Sequence, residues 1–443
     1  NDPRAIEAGI RGARWVWEAR LSQEDAPRWA MSSEDPAQWH WWCHGGPGVA
    51  LAFLSAYEAT SDDTWAKRAR HCLADIPARP PIANLSICHG VTGLAEILLE
   101  GARVLDERTL ADQAKQLAST LWAMRRDDRA DCATCISMLS HEGIIAVEGV
   151  DTDKFLQGQL TCDLKSVTGT TATLGARCNP KGRMQSSFYL WRTDQGVMLG
   201  LDRQLIAAQL ADLGKYAVFY KCELSDQSDN RVGFGIWGEA ADAALQSCGL
   251  DMPANGTVAH KDDLFAIGLP GGACVLWVPT EQAEYLLDTL CQHADPVSLN
   301  QWQLQRIRSG VGQVSDETRE HFIPQMLNLQ QLGGVSFRKG CYTGQEIVAR
   351  MQYLGKLKRR MYRLLMAGEA PPSPGTEIVD RESGKAVGEV VMAARSHKAI
   401  EMLAVVQKDA AQLTTLSAGD SDGPLISLAD LPYERELTSA EAE

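Results

Sequence analysis

The sequence predicts an α+β multidomain protein: an all-α N-terminal part, then mixed α/β subdomains, then a C-terminal all-β unit. Three observations predict it. Residues 1 to about 128 place their apolar residues at helical spacing among good helix formers. After the charged stretch "RRDDRADCATC", short β-type runs alternate with helical ones. From about residue 360, strand-like runs are joined by turns bearing Gly and Ser. A length of 443 residues suits two to four domains.

The helical part reads as "PGVALAFLSAYEA", "DDTWAKRARHCLADI", "TGLAEILLEGARVL" and "RTLADQAKQLASTLWAM". It contains a repeat. "CHGGPGVALAFL" begins at Cys43 and "CHGVTGLAEILL" at Cys88, so the period is about 45 residues and predicts paired helices in a curved or ring-like array. Each cysteine precedes a helix, where the positive end of the helix dipole favours the thiolate that binds metal. Cys43, Cys88 and His89 are therefore candidate zinc ligands, three in number, leaving a fourth position open for water or a thiol. The competing reading makes these Cys-His pairs packed helix starts. His44 is a neighbour, and Trp39, Trp41 and Trp42 are helix packing.

The mixed part opens with the strands "GIIAVEGV", "TTATLGARC", "QSSFYLWR" and "GVMLGLD", followed by the helix "RQLIAAQLADLGKYA". Further on, "FRKGCYTGQEIVARM" places Thr343 and Glu346 at capping-box spacing, which predicts a helix beginning at Thr343. Cys341 then stands before the first turn, with Lys339 and Arg338 nearby. The dipole and both cations favour a thiolate. Local chemistry leaves open whether this cysteine is reactive or structural. Gly344 suits a close backbone approach, and Glu346 reads as a capping carboxylate. The strands "RRMYRLLMA", "GTEIVDRE", "KAVGEVVMAA" and "AIEMLAVVQ" follow, then an acidic tail.

Composition limits the function. No stretch approaches the roughly 18 apolar residues of a membrane span, so no membrane partner is expected. The twelve cysteines lack the density of a secreted scaffold, which predicts a reducing, cytoplasmic setting. The start has no apolar signal core and no Met, as expected of a fragment or a processed chain. A net charge of −14 argues against indiscriminate nucleic-acid binding and makes direct, stable binding unexpected, while leaving room for a local basic patch. Against that background, Arg350 to Arg363 holds six basic residues and no acidic one. That run suits the anionic tail of a ligand, an RNA backbone or a guarded strand edge.

Other features carry less. The CxxC pair Cys132 and Cys135 reads as incidental, and Cys162, Cys178, Cys222, Cys248, Cys274 and Cys291 read as core. "GFGIWG" is a β-type run, not a dinucleotide fingerprint. Asp163 suits a turn cap or a ligand contact.

Two resemblances extend this reading. "WWCHGGPG" and "ICHGVTG" resemble motifs of the lanthionine synthetase C-like (LanC-like) family over about the first 125 residues. The resemblance implies a partial α/α toroid, zinc on Cys43, Cys88 and His89, and activation of a peptide thiol; it carries none of that family's proton-handling residues onto this chain. From about residue 136 to 440, "FLQGQLTCDL", "CNPKGRMQSSFYLWR", "LGKYAVFYKCEL", "RIRSGVGQV" and above all "KGCYTGQE" resemble the YgfZ family, relatives of the glycine-cleavage T-protein or aminomethyltransferase. This implies aminomethyltransferase-like folate-binding subdomains closed by a small β-barrel. It implies tetrahydrofolate as ligand, and a role in maintaining iron–sulfur enzymes, including tRNA-modifying enzymes. Carried over by position, Cys341 is the functional thiol with Lys339 beside it, and Tyr342, Gly344, Gln345 and Glu346 complete the folate-facing signature. The implied domains are a helical segment 1–128, a linker 129–137, a folate-binding domain 138–358, a barrel 359–433 and a tail 434–443. By the same resemblance, Gln185 and Ser186 stand where the T-protein's corresponding turn carries an acidic pair, which lowers the alternative of a folate-dependent aminomethyltransferase. For the N-terminal part, the residues admit either a zinc-dependent thiol-activating module or a helical segment that is only a scaffold.

Overall fold

A computed structural model describes residues 3–20, 46–74, 76, 91–124, 133–368 and 370–433. The chain divides into two compact units, Asn1–Arg126 and Asp127–Glu443. No described helix is long and apolar enough to cross a membrane.

The first unit is helical, as its spacing predicts: α1 (Pro3–Glu18), α2 (Gly46–Thr60), α3 (Asp63–Leu73), α4 (Val91–Leu105) and α5 (Arg108–Met124). The repeat appears as two helical hairpins, α2 with α3 and α4 with α5, joined by α2 packing on α4. Asp62 caps α3 by accepting from the Thr64 amide at 2.9 Å, an arrangement worth about 1 kcal/mol. Phe53, Leu54, Trp65, Leu73, Leu94 and Leu98 form the centre of the core. The Phe53 ring stacks on Trp65 at 5.9 Å and meets Trp17 edge-on at 5.7 Å. Cys43, Cys88 and His89 lie outside the described residues, as do His44, Trp39, Trp41 and Trp42.

The second unit is built on three sheets. In the first, β2 (Glu142–Glu148), β3 (Thr173–Cys178), β4 (Met184–Arg192), β5 (Gly196–Asp202) and β6 (Glu223–Asp226) run in the order β3-β4-β5-β2-β6, all antiparallel. The helices α6 (Thr152–Gln157) and α7 (Ile206–Ala217) accompany it. The second sheet has the order β11-β1-β7-β10-β9-β8. Its strands are β1 (Thr134–Met138), β7 (Arg231–Gly238), β8 (Val258–Lys261), β9 (Leu264–Leu269), β10 (Ala273–Pro279) and β11 (Asp295–Pro296). The helices α8 (Ala241–Ser247), α9 (Ala283–Leu290) and α10 (Leu299–Arg308) belong to this part of the chain. Strand β1 thus crosses to a different sheet from its neighbour β2, and it starts within the 129–137 stretch read as a linker. It carries Cys135, which is disulfide-bonded, while Cys132 lies outside the described residues.

"GFGIWG" is strand β7, and its glycines have a packing reason. A Cβ on Gly235 would come within 2.5 Å of the Trp302 ring, and one on Gly233 within 3.0 Å of Trp277. Both indoles are fully buried. Cys162, Cys178, Cys248 and Cys274 are buried as expected, and Cys222 is half-buried. Cys291 is exposed instead, because it follows the end of α9, whose buried face closes at Leu290.

The third sheet, in the order β16-β13-β14-β15-β12-β17, is the C-terminal β unit. Its strands are β12 (Arg359–Met366), β13 (Glu377–Asp380), β14 (Lys385–Arg395), β15 (Ile400–Gln407), β16 (Leu416–Ala418) and β17 (Ile426–Ala429). Its side chains alternate with the strand period of two. Tyr362, Leu364, Ile400, Met402 and Ala404 enter a core of the sheet's own. Met361, Val391, Leu403 and Val405 enter the main core shared with the other two sheets. A sheet buried on both faces curls around one set, and a bridge between Ser417 and Leu425 brings its two outer strands together as a half-barrel.

Candidate functional site

The signature loop is held by a segment distant in sequence. Residues 158–162, from "FLQGQLTCDL", lie along residues 334–343. The Thr343 amide donates to Gly158 O at 3.1 Å, and the Ser336 amide donates to Thr161 O at 2.9 Å. The Thr161 hydroxyl donates to Gly334 O at 2.6 Å and accepts from the Ala176 amide at 2.9 Å. It therefore ties strand β3 to the loop from a fully buried position.

Lys339 completes this clamp. Its Nζ donates to Leu160 O at 2.8 Å and Cys162 O at 2.7 Å, and lies 5.2 Å from the centre of the Tyr342 ring. The side chain is 8% exposed. Burial lowers its ammonium to about 8, against the opposing pull of Cys162 and Asp163. Tyr342 is also buried; burial, then the thiols of Cys178 and Cys162, raise its phenol well above the ordinary range. Its hydroxyl has no hydrogen-bond partner among the described residues. Between these two inward anchors, Gly340 and Cys341 are exposed. Nearby, burial pushes the thiols of Cys162 and Cys178 up to about 12. Asp163 caps a short turn, accepting from Gln157 at 2.7 Å and from the Lys165 amide at 3.1 Å.

The helix start differs from the expected capping box. Helix α11 (Gln345–Tyr353) begins after Gly344, which has φ +83°, and no side chain caps it. The left-handed turn is imposed by packing: a Cβ on Gly344 would sit 2.5 Å from Asn179 O and 3.0 Å from Gly182. Thr343 is instead used through its backbone, and Glu346 is exposed in the first turn of α11. Gln345 is half-buried, and its amide donates to Tyr342 O at 3.1 Å. Gln325 donates to Val348 O at 2.7 Å and fixes α11 from below.

Two further features adjoin this segment. A cavity of about 210 Å³ is lined by Leu174, Tyr189, Asn255, Ile267, Leu269 and Leu332, among others including Gly333. Behind it, the Tyr189 hydroxyl donates to Glu142 at 2.5 Å and accepts from the Trp277 indole at 3.0 Å, while Arg306 ion-pairs Glu142 at 3.2 Å. Elsewhere on strand β4, Gln185 donates to Glu320 at 3.0 Å and Asp212 at 3.4 Å, and Ser186 donates to Gln209 at 3.1 Å. Asp212 and Glu320 thus bring carboxylates to a hairpin whose own sequence has none. Sequence spacing holds no signal for them, because they come from a helix and a loop far along the chain.

Comparison with known proteins places this architecture. A tRNA-modifying protein YgfZ of Yersinia enterocolitica is 33% identical over 296 residues, covering 66% of this chain and 89% of the relative. The chain belongs to the YgfZ family. A YgfZ of Photobacterium profundum is likewise 33% identical, over 299 residues, with the same shares of each chain. The YgfZ-family region has an aminomethyltransferase-like fold: the glycine cleavage system aminomethyltransferase T of Bartonella henselae superposes with a TM-score of 0.57 at 18% identity, covering 72% of this chain and 90% of that one. Ahead of the YgfZ region, residues 13–132 match the family model described as lanthionine synthetase C-like protein.

Proposed function

We propose that the protein binds tetrahydrofolate and supports the iron–sulfur enzymes of tRNA modification through the thiol of Cys341. One observation carries the reading. A single segment, 332–343, lines the cavity at Leu332 and Gly333 and presents Cys341 a few residues later. The cavity walls suit a flat heteroaromatic ring: aliphatic side chains, the Asn255 amide and backbone at Gly256, Gly268 and Gly333. Tetrahydrofolate supplies one-carbon chemistry when bound. The chain's own residues hold and present. Lys339 and Tyr342 turn inward and fix the loop, so Cys341 is carried outward on a rigid base. Lys339 acts here as an anchor, since both hydrogen bonds of its Nζ go to backbone carbonyls. Iron–sulfur enzymes are the partners and the cytoplasm the setting in this reading.

Trp277, bonded to the cavity-lining Tyr189, is a built-in reporter. Titration with tetrahydrofolate is expected to change tryptophan fluorescence saturably. Cys341→Ser is expected to keep that response and the thermal transition while failing to restore iron–sulfur-dependent tRNA modification in cells lacking the protein. No saturable change in folded protein would remove the folate claim, and full restoration by Cys341→Ser would remove the thiol claim.

A further inference from the structure

Beyond the Cys341 loop, the chain gathers cations that no described acidic side chain neutralises. Arg350 on the last turn of α11, Lys356 and Lys358 in the connection to β12, and Arg359 at its start are all exposed. None of the four has an ion-pair partner among the described residues. No acidic residue occurs between Ile347 and Gly368. The other two cations of the run are withdrawn, Arg363 in an ion pair with Glu401 at 2.6 Å and Arg360 in burial.

Guarding a strand edge is the ordinary use of such a run. That explanation does not cover the run, because Arg350, Lys356 and Lys358 precede β12, which is an inner strand from Arg363 onward. It pairs with β15 over its whole length and with β17 from Arg363 to Met366. Ahead of that second pairing, Asn328 donates to Met361 O at 3.3 Å.

An aromatic ring stands among the cations. Tyr353 is 54% exposed, and its ring meets Phe337 edge-on at 5.9 Å. Phe337 precedes the exposed Arg338 and belongs to the loop that carries Cys341. The contact therefore joins the basic surface to the thiol loop. Free cations take a phosphate backbone, and an open aromatic face takes an unstacked base. A polyanion without bases would use the cations and leave Tyr353 idle. We infer that Arg338, Arg350, Tyr353, Lys356, Lys358 and Arg359 form a docking face for single-stranded RNA beside Cys341. The chain's overall negative charge suppresses indiscriminate binding, while the local patch sets where an RNA strand lands. The inference takes from the proposed function only the position of Cys341.

The test is fluorescence anisotropy of the full chain with a 5′-labelled oligouridine RNA of about 12 nucleotides, a length within the usual single-strand site sizes. The combined substitution Lys356→Glu, Lys358→Glu and Arg359→Glu is expected to weaken binding by at least about tenfold and to reduce the salt slope by about 2. Tyr353→Ala is expected to weaken it roughly tenfold, and Tyr353→Trp to retain it. Should the triple variant misfold, Lys356→Gln and Lys358→Gln, made singly, replace it and are expected to weaken binding and flatten the salt dependence. Absent binding at low salt, or equal affinity of variants and wild type, overturns the inference. So does a triple variant that loses only its preference for pentaglutamyl over monoglutamyl tetrahydrofolate, since that assigns the patch to a folate tail. Lost folate response with retained RNA binding would sink the proposed function and leave this inference standing.

Discussion

Within the signature loop, neighbouring residues have opposite roles: Lys339 and Tyr342 are buried, and Gly340 and Cys341 between them are exposed. Cys341 is exposed, whereas Cys162, Cys178 and Cys274 are buried with thiols pushed up to about 12. Brief iodoacetamide treatment at neutral pH should therefore modify Cys341 long before those three. Peptide mass spectrometry checks the order, and early labelling of Cys162 would contradict the placement. Lys339 makes a pH prediction. Burial puts its folded-state value near 8, below the ordinary lysine range of the unfolded chain. Between those values the unfolded chain holds the proton more tightly, so raising pH favours the folded state. Relative to Lys339→Met, the wild type should gain stability from about pH 8 upward, by at most about 1.4 kcal/mol per pH unit. Thermal unfolding of both proteins across that range measures the difference; a wild type that loses stability relative to Lys339→Met as pH rises refutes the sign.

Among the elements, the loop owes its order to partners far along the chain. Thr161 is the clearest case, with one hydroxyl serving Gly334 O and the Ala176 amide. Thr161→Val keeps the shape and leaves two buried backbone groups unpaired, at a cost of about 1–3 kcal/mol. Chemical denaturation should show that loss, together with faster labelling of Cys341; an unchanged midpoint would mean the clamp is redundant. The same dependence on partners explains what the local pattern missed. Thr343 and Glu346 have capping-box spacing, yet the helix begins at a left-handed Gly344 because the backbone must pass within touching distance of Asn179 and Gly182. The helices of the first unit were legible because period 3.6 is a local property, and the strands of the third sheet because period 2 is too. Pairing was not legible: β1 joins β7 and β11 rather than β2, which adjoins it in sequence.

For the molecule as a whole, each unit buries a core of its own, around Phe53 and Trp65 in the first and around the three sheets in the second. Residues 127–443 expressed alone should therefore fold, and should retain the tetrahydrofolate response in full. The full chain is expected to unfold in two calorimetric transitions, one matching that fragment. A single transition for the full chain, with a fragment that does not fold, would show that the units depend on each other.

The chain's order of residues settled its classes of structure and its relationship to the YgfZ proteins, and it singled out Cys341 as the candidate thiol, all from local periodicity or a contiguous motif. Three-dimensional packing settled the rest. It assigned Lys339 to backbone carbonyls, moved the helix start to Gly344, brought Asp212 and Glu320 to Gln185, and left the cations around Tyr353 without acidic partners among the described residues. Those outcomes depend on which distant backbone groups need partners once water is excluded, and spacing along one stretch of chain carries no record of that need.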